Sequence, residues 1–139
     1  MFCCVFYKIQ KTFPFEGFEK LIRFSLFLNI AILIPVCFGI LSGQEFVFHG
    51  WGMAQPSLYI LLSIYCTILL ASFYLIIRPN TYLVFSLLSM QFIYKILSPI
   101  FVGSWQNPVV LSNLAVAAVH LVSLYRIVKS PNFSLDDPY

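Results

Sequence analysis

The chain has 139 residues, of which 60% are hydrophobic and only 9% charged, and its formal charge is +3. Soluble domains run at about 45–50% apolar and about 25% charged, and a chain this short has too little interior to hide such an apolar surplus from water. With a mean hydropathy of +0.91, a water-soluble globule is excluded, lipid is the expected solvent, and the small positive surplus calls for no nucleic-acid partner.

In chain order, the N-terminal segment comes first. Cys3 and Cys4 stand near Lys8 and Lys11, a setting for S-palmitoylation in a eukaryotic host. A transmembrane helix needs about 20 mostly apolar residues, and the first such window covers 21–41, LIRFSLFLNIAILIPVCFGIL. It is longer than the 7–15 residue apolar core of a signal peptide, and Glu16 and Glu19 precede it, so a retained helix is expected. A connection over 42–55 follows, with Phe46, Phe48 and Trp51 suited to a membrane surface. The second window covers 57–77, the third 81–102 and the fourth 108–128. Pro56 and Pro108 stand where a helix start loses nothing by lacking an N–H. Asn107 is a natural N-cap, Asn80 or Thr81 can cap the third helix, and Pro79 ends the second. The two short connections predict antiparallel hairpins. Pro35 to Gly39 and Pro99 to Gly103 both read P-x-x-x-G, an echo that composition alone explains, since both residues are common in membrane helices.

Positive charge is one-sided along this order. Lys8, Lys11, Lys20 and Arg23 precede the first window, Arg78 divides the second and third, and Arg126 and Lys129 close the fourth. By the positive-inside rule both termini are expected in the cytoplasm. The basic rim so formed can meet anionic lipid heads. The eighth basic residue, Lys95, lies within the third window.

No Asp or Glu occurs in any window. Proton-coupled pumps and exporters generally place a carboxylate in the membrane, so that class is disfavoured. Cys37 and Cys66 lie in apolar runs, where a thiol acts as a small hydrophobe. No CxxC is present, and no Cys/His cluster has metal-ligand spacing. The paired cysteines of a disulfide-forming membrane enzyme are missing. No GxSxG or HExxH pattern surrounds a serine or histidine. No catalytic residue, metal site or cofactor is therefore assigned.

The intramembrane polar residues that remain are Asn29, Gln91, Lys95, Asn113 and His120. Gln91 and Lys95 are four apart and share a helix face, as do Asn113 and His120. At about 1.5 Å per residue, two antiparallel helices place Lys95 level with Asn113, and Gln91 level with His120. These four are the candidate ligand-binding residues. Pro99 removes the hydrogen bond to the carbonyl of Lys95 and kinks the helix at that height. The alternative for Lys95 is a static anchor, its stem reaching the surface and its ammonium paired with Glu45. Packing roles are the alternative for His120, bonded to Gln91, and for Asn29 and Asn113 as interhelical bridges. Ala115, Ala117 and Ala118 let the fourth helix approach its neighbours closely.

The stretch from Ala71 to Phe101, with Arg78, Pro79, Lys95 and Pro99 as its markers, resembles small four-helix membrane proteins of the DoxX-like type. The resemblance covers the second to fourth windows, about half the chain. It implies a compact four-helix bundle acting as an accessory subunit in redox-linked membrane complexes, although no cofactor ligand set accompanies it here. The resulting expectation is an all-α, integral membrane four-helix bundle, residues 1–139 forming one multi-pass domain with both termini inside. Its expected role is non-catalytic, as an accessory or assembly subunit in the lipid bilayer, with a membrane-protein partner or as a homo-oligomer. The rival is an oligomeric carrier or channel for a small polar or anionic solute, with Lys95 lining the pathway. A lipid- or quinone-modifying enzyme using Lys95 and His120 as acid and base is the weakest reading, because neither a nucleophile nor a carboxylate stands beside them.

Overall fold

A computed structural model describes residues 16–52, 56–130 and 133; Cys3, Cys4, Lys8 and Lys11 lie outside the described residues. The described residues form five helices and no strand: α1 Glu16–Ser42, α2 Glu45–Trp51, α3 Pro56–Ile77, α4 Thr81–Val102 and α5 Pro108–Val128. Four are long and apolar enough to cross a membrane: Lys20–Ser42 within α1, and α3, α4 and α5 whole. At 1.5 Å per residue each covers about 32–35 Å, enough for a hydrocarbon core of about 30 Å. Large apolar side chains point outward along them, with Phe101 82% exposed. That outer surface suits lipid, as a multi-pass membrane protein requires.

The helix ends follow from local chemistry. Asn80 Oδ1 accepts from the Leu83 N–H at 3.1 Å and starts α4. Asn107 Oδ1 accepts from Val109 N–H at 2.8 Å and Val110 N–H at 3.4 Å, and Pro108 takes the first helical position. α4 stops at Gly103, whose φ of 67° is left-handed and whose N–H reaches the Pro99 carbonyl at 3.0 Å.

Between α1 and α3 the sequence predicts only a connection, yet Glu45–Trp51 is helical and Val47 is fully buried. Close approach makes this possible. A Cβ at Gly39 would strike the Phe46 ring and come within 3.0 Å of Val47 Cγ2, and one at Gly50 would come within 2.6 Å of Val109 Cγ2. Asn107 Nδ2 also donates to the Gly50 carbonyl at 3.1 Å. So α2 is wedged between the end of α1 and the start of α5. The two P-x-x-x-G glycines thus do different things: Gly39 admits a neighbour, and Gly103 ends a helix.

The long helices pack most closely as two pairs, α1 with α3 and α4 with α5, and α1 joins the pairs by also touching α5. The tight turn between α3 and α4 makes them sequence neighbours, but they share little surface. Of the three alanines expected to ease packing of α5, Ala117 is buried, and Ala115 and Ala118 face outward. One apolar cluster, including Leu33, Leu62 and Ile68, fills the half of the bundle next to α2. A second, including Leu26, Leu88 and Ile127, fills the other half. That half ends in Lys20, Arg23, Arg78, Arg126 and Lys129, all exposed, and is called the basic end below.

Candidate functional site: a polar layer between the helices

Seven polar or charged side chains are buried among the described residues: Ser25, Asn29, Ser72, Gln91, Lys95, His120 and Ser123. Their heights follow from helix rise. Measured from the basic end, Ser25, Ser72 and Ser123 lie at about 8 Å, Asn29, His120 and Gln91 at about 12–15 Å, and Lys95 at about 21 Å. Polar groups buried between helices are shielded from bulk water, so their hydrogen bonds are expected to come from one another.

The lower two levels do bond across helices. Ser25 and Ser123 share a hydrogen bond of 2.6 Å between α1 and α5. Asn29 Nδ2 donates to Ser72 Oγ at 3.4 Å, and Asn29 Oδ1 meets His120 Nε2 at 3.1 Å, so one carboxamide joins α1, α3 and α5. With Asn29 Nδ2 facing Ser72, its oxygen accepts from His120 Nε2–H, and the other ring nitrogen, Nδ1, carries the lone pair. Asn29 is therefore an interhelical bridge, as its position in an apolar helix implies.

The α4 face is different. Gln91 is 1% exposed, and neither its Nε2 nor its Oε1 has a hydrogen-bond partner among the described residues; His120 Nδ1 has none either. Lys95 is 6% exposed. Its ammonium donates to Tyr94 Oη at 2.6 Å and lies 4.6 Å from the centre of that ring. No carboxylate pairs with it among the described residues, and Glu45, its candidate partner, is exposed on α2. Gln91 and His120 are level, but His120 turns its bonding nitrogen to α1, and no hydrogen bond joins the two. Neither does one join Lys95 to Asn113, which is half-buried on α5 and has no side-chain bond among the described residues. The two expected rungs thus exist as heights without closing as hydrogen-bonded pairs. The expected free carbonyl at Lys95 is also taken: Ser98 Oγ donates to it at 2.7 Å, replacing the bond that Pro99 removes.

Other features sequence reasoning passed over lie nearby. Tyr94 packs against the apolar cluster next to α2, where Trp51 Nε1 donates to Tyr65 Oη at 3.4 Å. Cys37 of α1 lies in that cluster and Cys66 of α3 packs against it. An open groove of about 350 Å³ between α2 and the start of α5 is lined mainly by apolar residues such as Phe46, Trp51 and Val109. Its polar lining side chains are His49 and Ser112, and the Ser112 hydroxyl already donates to the Val109 carbonyl at 2.9 Å. Among the described residues no three His, Cys, Asp or Glu side chains gather as a metal site.

Gln91, Lys95 and His120 are all buried, and Gln91 Nε2, Gln91 Oε1 and His120 Nδ1 have no hydrogen-bond partner among the described residues. Comparison of the chain with protein-family models, curated proteins and solved structures finds no match in any of the three, and no family match supports the DoxX-like resemblance.

Proposed function

We propose that this is a non-catalytic, multi-pass membrane protein of accessory type whose interior holds one small polar anion. The observation that carries the reading is Gln91: a fully buried carboxamide whose two polar atoms have no partner among the described residues, one helical turn from a buried ammonium with no counter-charge among them. Leaving a buried donor or acceptor unsatisfied costs about 1–3 kcal/mol, and an ionisable side chain within a membrane helix is costly enough to mark function by default. A ligand that bonds these groups removes both costs. The set of groups describes it: anionic oxygen for the Lys95 ammonium and the Gln91 amide hydrogens, and a hydroxyl or N–H for Gln91 Oε1 and His120 Nδ1.

A non-catalytic role is supported by what surrounds the ammonium. No carboxylate stands beside it among the described residues to activate Tyr94 or His120, and the chain's acids are confined to Glu16, Glu19, Glu45, Asp136 and Asp137. An enclosed site is favoured over a conducting pathway because Lys95, at 6% exposed, is covered by its own bundle, whereas a pathway needs it open to water. The basic end sits in the cytoplasm in this reading, following the bias of Lys and Arg. An accessory protein of this kind would act on a membrane-protein partner or a second copy of itself according to whether its ligand is bound.

The test is native mass spectrometry of the full chain released in discs of its own membrane lipid, with Lys95→Met alongside. The expected result is one small non-lipid molecule bound to the wild-type chain and absent from the variant. A wild-type chain with no such molecule, or a molecule held equally by both, overturns the reading.

A further inference from the structure

Lys95 does not behave as a lysine at its depth usually does. By helix rise it lies about 10 Å below the outer end of α4, a level from which a lysine stem commonly carries its ammonium to the membrane surface. Here the side chain stays 6% exposed, with its ammonium 2.6 Å from Tyr94 Oη and 4.6 Å from the centre of that ring. Residues one apart on a helix do not face each other, so the stem bends round to the phenol instead of extending. Tyr94 is held from its other side, packed against the apolar cluster built from α1, α2 and α3. A phenol fixed by packing thus holds a buried ammonium in one place. The bonding capacity of the pair is not used up. An ammonium has three donors, and a phenol has one donor besides its lone pairs. Lys95 gives one N–H to Tyr94 Oη, and among the described residues the Tyr94 O–H has no acceptor. Gln91, whose amide hydrogens also lack a partner there, is three residues from Tyr94 and four from Lys95, the two spacings that make neighbours on a helix surface.

We propose that Tyr94 is a further binding residue of the anion site, holding the Lys95 ammonium in place and donating its own O–H to the same ligand, and that this ligand is a small oxyanion carrying a hydroxyl. The inference rests on the anion site proposed above and adds to it a residue and a ligand class. Ammonium, phenol and carboxamide donors on one turn of α4 suit negative oxygen, since hydrogen bonds to an ionised group are about twice as strong as neutral ones. The acceptors narrow the class further. A halide has no hydrogen to give and leaves Gln91 Oε1 and His120 Nδ1 without partners, whereas an oxyanion with an O–H supplies a donor. Bicarbonate and nitrate form a matched pair of probes: both are planar and of similar size, and only bicarbonate carries the hydrogen.

The experiment frees the full chain in lipid discs of bound small molecules by dialysis and titrates it by calorimetry with bicarbonate and with nitrate. Two variants run alongside: Tyr94→Phe, which keeps the ring and loses only the hydroxyl, and Lys95→Met. Bicarbonate is expected to bind the wild-type chain about tenfold more tightly than nitrate does, to bind Tyr94→Phe about tenfold more weakly, and to be lost from Lys95→Met. In a wild-type chain isotope-labelled at the hydroxyl-bearing ring carbon of tyrosine, bicarbonate should shift one NMR line, the line absent from Tyr94→Phe. A phenol that only props the helix would not move. Tyr94→Phe binding bicarbonate as tightly as wild type, or bicarbonate shifting no tyrosine line, overturns the role of Tyr94; the anion site still stands if Lys95→Met has lost the molecule seen by native mass spectrometry. Nitrate bound as tightly as bicarbonate, or no bicarbonate bound at all, overturns the ligand class. Lys95→Met binding like wild type removes the anion site itself and this inference with it.

Discussion

Asn29 and Gln91 are the same kind of side chain in the same kind of place. Both are carboxamides in membrane-length helices, buried to within 2% and 1% exposure, and both lie about 14–15 Å from the basic end by helix rise. Asn29 uses both of its polar atoms, on Ser72 and His120, and ties three helices together. Gln91 uses neither. Burial does not separate a structural bridge from a binding group; the inventory of hydrogen bonds does. The α1 side of the bundle is closed on itself, and the α4 side has donors and acceptors left over.

That contrast can be broken by substitution. The largest effect is expected from Asn29→Leu, which removes two interhelical bonds and strands the Ser72 hydroxyl and His120 Nε2. Unfolding in lipid discs should show a loss of about 2–3 kcal/mol. Lys95→Met should act in the opposite direction on ligand-free protein. It deletes an unpaired buried cation and keeps a residue suited to a helix and to lipid, so a gain of about 1–2 kcal/mol is expected. Loss of folding in this variant would instead make Lys95 an anchor. Ser98→Ala leaves the Lys95 carbonyl without the donor that repairs the Pro99 break, and should cost about 1 kcal/mol in the same measurement. Ser25→Ala sharpens the lower end of the scale: an interhelical hydrogen bond between membrane helices is worth about 0.6 kcal/mol on average, and the same loss is expected from Ser123→Ala because either change removes the one bond.

Each of the four long helices could be read from its own apolar window, because a window of that length needs no periodicity to declare itself. Asn80, Asn107 and Pro108 were legible too, since a cap acts on the next two or three residues. The short helix α2 was not. EFVFHGW holds no apolar run of useful length, and its burial depends on Gly39 and Gly50 lying where a side chain would collide with another element. Gln91, Lys95 and His120 stood out as polar residues in apolar helices, but the rotation of each helix about its axis is not written in a single sequence. It is set by packing, and here it turned His120 toward α1. Tyr94 was missed because residues one apart point in different directions, yet a lysine stem is long enough to bring its ammonium round to the neighbouring phenol. Cys37 and Cys66 were legible as packing residues, but their place at one apolar cluster is set by the α1–α3 contact and by no spacing.

The most direct measurement is Gln91→Leu beside Asn29→Leu, in the same discs, reading unfolding free energy and bound mass together. If Gln91 belongs to a ligand site, Gln91→Leu stripped of ligand should be as stable as the wild-type chain or more stable, since an unsatisfied group is replaced by an apolar one, and the bound small molecule should be gone. If Gln91→Leu instead loses stability as Asn29→Leu does, Gln91 is a structural bridge like Asn29, and the claim that the α4 face is a binding site fails.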